Sequence, residues 1–190
     1  MNSTCRIRVA GFGGQGVMMF GQMLAYSATH DELNTLWFPS YGPETRGGTA
    51  NCSVIVSNQT INSPVFKAAD HLVVFNMPSL TKFQEQIEQG GLILYNASLI
   101  KTAVKSDKAL VVGIPINDIA HDLGSLQVAN MVMLGAYLEL TGLFTDATIT
   151  EIIKKFMGER KAHMVEINIQ AIAAGRKQIR DIGVTYVKTS

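Results

Sequence analysis

A short β-rich run, Arg6-Ile7-Arg8-Val9-Ala10, leads straight into Gly11-Phe12-Gly13-Gly14-Gln15-Gly16, and a helix-patterned stretch begins at once at Val17. No other feature of the chain constrains its fold as strongly. Arg6 and Arg8 alternate with Ile7 and Val9, which is the period of a strand with one buried face. Val17, Phe20, Met23, Leu24 and Ser27 recur at helical spacing, so a helix is expected over residues 17–30. The glycines between them let the backbone turn where a side chain would obstruct it. Strand, glycine turn and helix together make the basic unit of an α/β sheet.

The same alternation continues. Strands are expected at residues 33–38, 52–57, 72–75, 92–96 and 109–113. Asn58-Gln59 reads as a turn into a further strand at 60–62, which gives the sheet an antiparallel pair. Pro78 suits the first turn of a helix running to Gln89, with Gly90-Gly91 as its stop. The last third is helical. Residues 125–142 are apolar nearly all round, the mark of a helix buried in its own chain or under a partner. Thr148-Ile149-Thr150-Glu151 has the spacing of a capping box and is expected to open the next helix. Met164, Ile167, Ala171, Gly175, Ile179 and Ile182 define a long final helix. The expected fold is a three-layer α/β/α arrangement with a mostly parallel, mixed sheet and a helical C-terminal third. It forms a single domain over residues 1–190.

Composition narrows the function. Only 16% of residues are charged, against about a quarter in typical soluble domains. The shortfall falls on the surface, so a partner is expected to cover part of it, and the isolated chain is expected to self-associate. A net charge of +1 excludes nucleic acid as the main ligand, because there is no basic excess to neutralise phosphates. The most apolar helical stretch, 125–138, is too short and too polar to cross a bilayer, and no signal peptide opens the chain. A cytoplasmic location is expected. Cys5 and Cys52 form no C-x-x-C pair, so no iron–sulfur cluster or metal is held by this chain alone, and both are read as reduced, buried strand thiols. His30, His71, His121 and His163 are scattered, with surface or supporting positions expected.

Two loops carry the candidate site residues. Gly11, Gly13 and Gly16 fit a dinucleotide fingerprint by spacing. The fingerprint also needs an acidic residue at the end of the second strand to hold a ribose hydroxyl. Here that strand ends Leu36-Trp37-Phe38-Pro39, while Asp31 and Glu32 precede it. Intact NAD binding is therefore set aside. What remains is an anion or phosphate contact through Gly11, Gly13, Gly14, Gln15 and Gly16, or simply a tight strand-to-helix turn. The second loop is Ser40-Tyr41-Gly42-Pro43-Glu44-Thr45-Arg46-Gly47-Gly48. Pro and Gly stiffen and bend it. Arg46 can present a two-pronged donor to a carboxylate or phosphate, with Ser40, Tyr41, Glu44, Gly47 and Gly48 shaping the approach. Alternatively, Glu44 and Arg46 pair on the surface and contribute little. Asn130, in the apolar helix, needs a polar partner and reads as a helix-to-loop tie. There is no nucleophile elbow, metal-spaced histidine cluster or phosphate-loop Gly-Lys-Ser/Thr, so no catalytic residue is assigned to this chain. Site-like loops without a chemical set fit one part of a composite site. They also fit a stand-alone small α/β module that holds a nucleotide or phosphate.

The glycine motif at 11–16, the motif at 40–48, Gly113-Ile114-Pro115, Asn130-Met131 with Leu134-Gly135-Ala136, and Asn168-x-x-Ala171-x-x-x-Gly175 together resemble the gamma subunit of the 2-oxoacid:ferredoxin (or other acceptor) oxidoreductases, nearest the 2-oxoglutarate members. The resemblance runs over nearly the whole chain, and the 40–48 motif is its specific part. It implies a multi-subunit enzyme that oxidises a 2-oxo acid, such as 2-oxoglutarate, with coenzyme A to an acyl-CoA (succinyl-CoA), carbon dioxide and a reduced carrier. Thiamine diphosphate, Mg and the iron–sulfur clusters are implied on partner subunits of alpha, beta and delta type, with ferredoxin or another acceptor reached through them. This chain is implied to be inactive alone and to contribute to coenzyme A access.

Overall fold

A computed structural model of the protein describes residues 4–41 and 49–187. The strands are β1 (Cys5–Phe12), β2 (Asn34–Tyr41), β3 (Thr49–Ser57), β4 (Ala69–Val74), β5 (Ile87–Asn96) and β6 (Ala109–Ile114). The helices are α1 (Val17–His30), α2 (Met77–Phe83), α3 (Ile116–Asp122), α4 (Ala129–Thr141), α5 (Asp146–Met157) and α6 (Val165–Ile182). The strands form one sheet in the order β2-β3-β1-β4-β5-β6. β1, β4, β5 and β6 are parallel, while β3 runs antiparallel to both β1 and β2. This is the expected mixed α/β sheet between helical layers.

The two faces are unequally covered. Ile7 and Val9 of β1, Val54 and Val56 of β3, Val73 of β4 and Leu94 of β5 pack with the buried sides of α1, α3, α4, α5 and α6. On the other face, Ala10, Leu72, Val74 and Ile93 pack with Leu80 and Phe83 of α2 and with Ile100. Strand alternation sends successive residues to these two cores.

Three expectations need correction. No strand forms at 60–62: β3 is paired along its length by β1 on one side and β2 on the other, leaving no edge for a third partner. The antiparallel hairpin is β2–β3. The helix at Pro78 ends at Phe83 rather than at Gln89. Gly90-Gly91 stop nothing and lie inside β5, where the register against β4 shifts between Ala69 and His71. Gly90 takes φ +74° there, a conformation that suits glycine at a bulge. α5 starts before the Thr148–Glu151 box. Thr145 is its N-cap, its Oγ1 accepting from the Thr148 N–H at 3.2 Å. The apolar stretch at 125–142 takes the first of its two readings: α4 is buried within its own chain. Nearly all its residues are buried against the chain's own α6, α3 and α1. The large apolar side chains left exposed include Leu36 and Phe38 on β2, and Tyr26 of α1 beside Phe156 of α5.

Both cysteines are buried and neither is in a disulfide, as expected. Burial pushes the Cys52 thiol up to about 12, which keeps it protonated and unreactive at neutral pH. His71 is not a surface residue. It is buried on β4, with Nδ1 2.7 Å from the Tyr137 hydroxyl of α4 and 3.4 Å from Cys5 Sγ. Among the described residues no helix is long and apolar enough to cross a membrane.

His30, the last residue of α1, clasps α5. Its Nδ1 lies 3.0 Å from Asp31 and its Nε2 3.0 Å from Glu151. Hydrogen bonds to these two carboxylates raise the imidazole pKa above its usual value. A raised folded-state pKa favours the charged form in the folded protein. This contribution is complete below the usual imidazole value and fades as pH rises through the raised one. The midpoint of urea unfolding should therefore carry a pH-dependent component across that window that His30→Gln removes. An unchanged pH profile in the variant would show that the clasp is unimportant.

Candidate functional site

Two adjacent parallel strands, β1 and β4, send their following helices to opposite faces of the sheet: α1 joins one core and α2 the other. Between the carboxyl ends of such strands a crevice opens, and α/β sheets bind ligands at such switch points. The expected glycine turn forms one wall. Gly14 and Gly16 have φ of +93° and +78°. Gly16 is the N-cap of α1 and supplies no side-chain cap, so the first N–H groups of the helix are open to an acceptor. Close approach forbids side chains at two of the glycines. A Cβ on Gly11 would lie 2.8 Å from Gln15 Oε1 and 2.9 Å from Phe75 Cβ, and one on Gly16 would lie 2.5 Å from Asn130 Nδ2. Asn130, buried on α4, thus seats the turn against the helical layer. Gly13 and Gly14 are exposed, and a Cβ on Gly14 would meet nothing.

Gln15 bridges the crevice. Its Oε1 accepts from the Phe12 N–H at 2.7 Å and from Asn76 Nδ2 at 2.9 Å. Asn76 follows β4 and caps α2, its Oδ1 accepting from the Ser79 N–H at 2.9 Å. The next strand end repeats the device. Asn96 closes β5, and its Oδ1 accepts from the Ser98 N–H at 3.0 Å. Its Nδ2 donates to the Phe75 carbonyl at 3.4 Å and to Asn117 Oδ1, after β6, at 2.9 Å. Ser98 Oγ accepts from the Asn117 N–H at 3.1 Å. A row of amides thus lines the carboxyl edge of the parallel strands. Asn76, Asn96, Ser98 and Asn117 were not among the sequence candidates. The available signal was an asparagine within a few residues of the end of each apolar run.

The second candidate loop falls only partly within the described residues. Ser40 pairs with Asn51 and is exposed, and Tyr41 pairs with Ala50. Glu44, Arg46, Gly47 and Gly48 lie outside the described residues. The ends of their loop are nonetheless placed. Tyr41 leaves the sheet opposite Ala50, and Thr49 re-enters it opposite Phe12, the last residue of β1. The glycine turn and the ends of the 40–48 stretch therefore share one sheet edge. The sheet order also accounts for the missing ribose acid. Antiparallel β3 occupies the place beside β1, so the end of β2 lies one strand further out, with Asp31 and Glu32 before its start. Among the described residues no three His, Cys, Asp or Glu side chains gather to hold a metal.

Residues 6–178 match the family described as pyruvate ferredoxin/flavodoxin oxidoreductase. The chain is 38% identical over 178 residues to the ketoisovalerate oxidoreductase subunit VorA of Methanothermobacter thermautotrophicus, covering 93% of this chain and 36% of that protein. It thus spans about a third of that relative's length. It is 32% identical over 182 residues to the 2-oxoglutarate synthase subunit KorC of the same organism, covering 92% of this chain and 95% of KorC. Among solved structures, the keto/oxoacid ferredoxin oxidoreductase gamma subunit of Geobacter sulfurreducens superposes with a TM-score of 0.79 at 27% identity, covering 93% of this chain and 99% of that one.

Proposed function

We propose that this chain, which belongs to the pyruvate ferredoxin/flavodoxin oxidoreductase family, is the gamma-type subunit of a 2-oxoacid:acceptor oxidoreductase, with residues 1–190 acting as one domain. The observation that carries this reading is the match to KorC, which covers 92% of this chain and 95% of KorC. We assign it a 2-oxo acid larger than pyruvate, either 2-oxoglutarate or a branched-chain acid, because relatives named for those two substrates share 32% and 38% of its residues. Of the two, 2-oxoglutarate is the assignment we put to the test first. Partner subunits carry thiamine diphosphate, Mg and the iron–sulfur clusters, and pass electrons to ferredoxin or another carrier.

The contribution of this chain is to hold an oxyanion of coenzyme A or of the oxo acid at the edge of the composite site. Three features support that role: the uncapped start of α1, the exposed Gly13-Gly14 turn, and the sheet edge these share with Tyr41 and Thr49, which bound the rest of the 40–48 motif. The test is to purify the tagged chain from its native cells and assay what co-purifies. The assembled complex should reduce ferredoxin or a viologen dye with coenzyme A and 2-oxoglutarate, and the chain stripped of partners should not. Activity with pyruvate alone would reassign the substrate. A chain that purifies without partners and binds a nucleotide tightly would replace this reading with the stand-alone module.

A further inference from the structure

Backbone groups fix which way the amides at the crevice face. The atom of Gln15 that meets the Phe12 N–H must be its oxygen, because a backbone N–H can only donate. The atom of Asn76 that meets the Ser79 N–H must likewise be Oδ1, which leaves Nδ2 to donate to Gln15 Oε1. The Gln15 oxygen is therefore committed twice. Its Nε2 carries two N–H donors and makes no hydrogen bond among the described residues, on a side chain only partly buried at the β1–β4 crevice. A pinned oxygen and an open amide nitrogen make a directed donor, which accepting groups on a ligand satisfy and which a donor group on a ligand would leave idle.

We infer that Gln15 Nε2 donates to an oxyanion of the ligand in this crevice, and that Asn76 is the positioning residue that keeps that donor facing outward. The oxyanion is either the carboxylate of the 2-oxo acid or a phosphate of coenzyme A. This deepens the function proposed above and rests on it. Asn76 acts through Gln15: it is buried, and both its polar atoms are engaged, Oδ1 in capping α2 and Nδ2 in holding Gln15.

Two substitutions separate this role from a structural one. Gln15→Glu keeps an oxygen for Phe12 and Asn76 but turns the outward group into an anionic acceptor. Asn76→Asp keeps the cap on Ser79, since aspartate caps as well as asparagine, but cannot donate to Gln15. It sets an anionic oxygen against the Gln15 oxygen, a repulsion that opposes the remaining Phe12 N–H hydrogen bond and favours turning the amide so that its oxygen faces outward. In the assembled enzyme, Gln15→Glu should raise the KM of one substrate by about tenfold or more, with a smaller change in kcat. Asn76→Asp should raise the KM of the same substrate. The double variant should be no worse than Gln15→Glu, because both changes act on one group. The substrate whose KM moves, 2-oxo acid or coenzyme A, identifies the source of the oxyanion. If Gln15→Glu fails to fold, Asn76→Asp decides the matter alone. If variant complexes assemble, turn over, and keep both KM values within twofold of wild type, this assignment falls while the gamma-subunit reading stands. If the wild-type chain enters no active complex, that reading falls and takes this one with it.

Discussion

Gly135→Ala is expected to destabilise the protein by about 3 kcal/mol, at the upper end of what overpacking a core costs. A Cβ at this position on α4 would lie 2.0 Å from the Ile172 carbonyl oxygen and 2.7 Å from its carbon. The arrangement is reciprocal: a Cβ on Gly175 of α6 would lie 2.0 Å from the Val132 oxygen and 2.8 Å from the Ala136 nitrogen. All these neighbours are backbone atoms, so no side chain can rotate to make room. The two helices must instead move apart, loosening Val132, Ala136, Ala171 and Ile179, which are buried between the helical layer and the sheet. For a chain of this size the loss corresponds to a fall in Tm of roughly 6–12 °C. Gly175→Ala should behave the same way. The double variant should lose less than the sum, because one separation of the helices relieves both clashes. Gly142→Ala is the control: its Cβ would meet nothing, and its φ of +60° is the only penalty, about 1 kcal/mol. Calorimetry that finds Gly135→Ala no worse than Gly142→Ala would show that the two backbones are not in contact.

This helix pair also shows where sequence reasoning stops. Periodicity locates α4 and α6, because 3.6-residue recurrence is local, and their ranges come close to those read from the residues. It cannot tell an apolar helix covered by a partner from one covered by its own chain. That depends on Gly135 meeting Gly175 across residues far apart in sequence. β1, the glycine turn and α1 were legible for the same local reason. The failures share one cause, which is competition from elsewhere in the fold. Residues 60–62 cannot pair back on β3, because β2 already holds its outer edge. Gly90-Gly91 look like a helix stop but serve a bulge demanded by the register of β4 against β5. Thr148 has the spacing of a capping residue, yet Thr145 stands one turn earlier and takes the cap, leaving Glu151 to bind His30 and Lys155. At the candidate site, Gln15 was singled out as part of a motif, but its direction was not. That direction is held by the nearby Phe12 N–H and by Asn76, 61 residues away, which no local pattern links to it.

Arg46→Lys should weaken binding of coenzyme A or the 2-oxo acid roughly ten- to hundredfold in the assembled enzyme, since a charge-assisted two-pronged contact contributes about 1.5–3 kcal/mol. The argument rests on placement and chemistry. The ends of the 40–48 stretch flank the carboxyl end of β1, next to the turn whose helix start is uncapped. In a chain only 16% charged, an arginine between Pro43 and Gly47-Gly48 is a cation in a segment whose sequence favours a stiff backbone. Gln15 and the first N–H groups of α1 can orient an oxyanion, but they cannot neutralise it. We propose that Arg46 supplies the missing charge. Lysine keeps that charge and loses the planar fork, so Arg46→Lys tests geometry, while Arg46→Ala removes both and should cost more. Neither change should lower Tm by more than a few degrees, because the competing reading gives Arg46 at most an exposed pair with Glu44. If Arg46 and Gln15 hold the same oxyanion, the KM that rises in Arg46→Lys is the one that rises in Gln15→Glu, and the two effects are not additive. Normal assembly with unchanged turnover and both KM values within twofold of wild type would reduce the loop to a structural connection and leave the crevice without its cation.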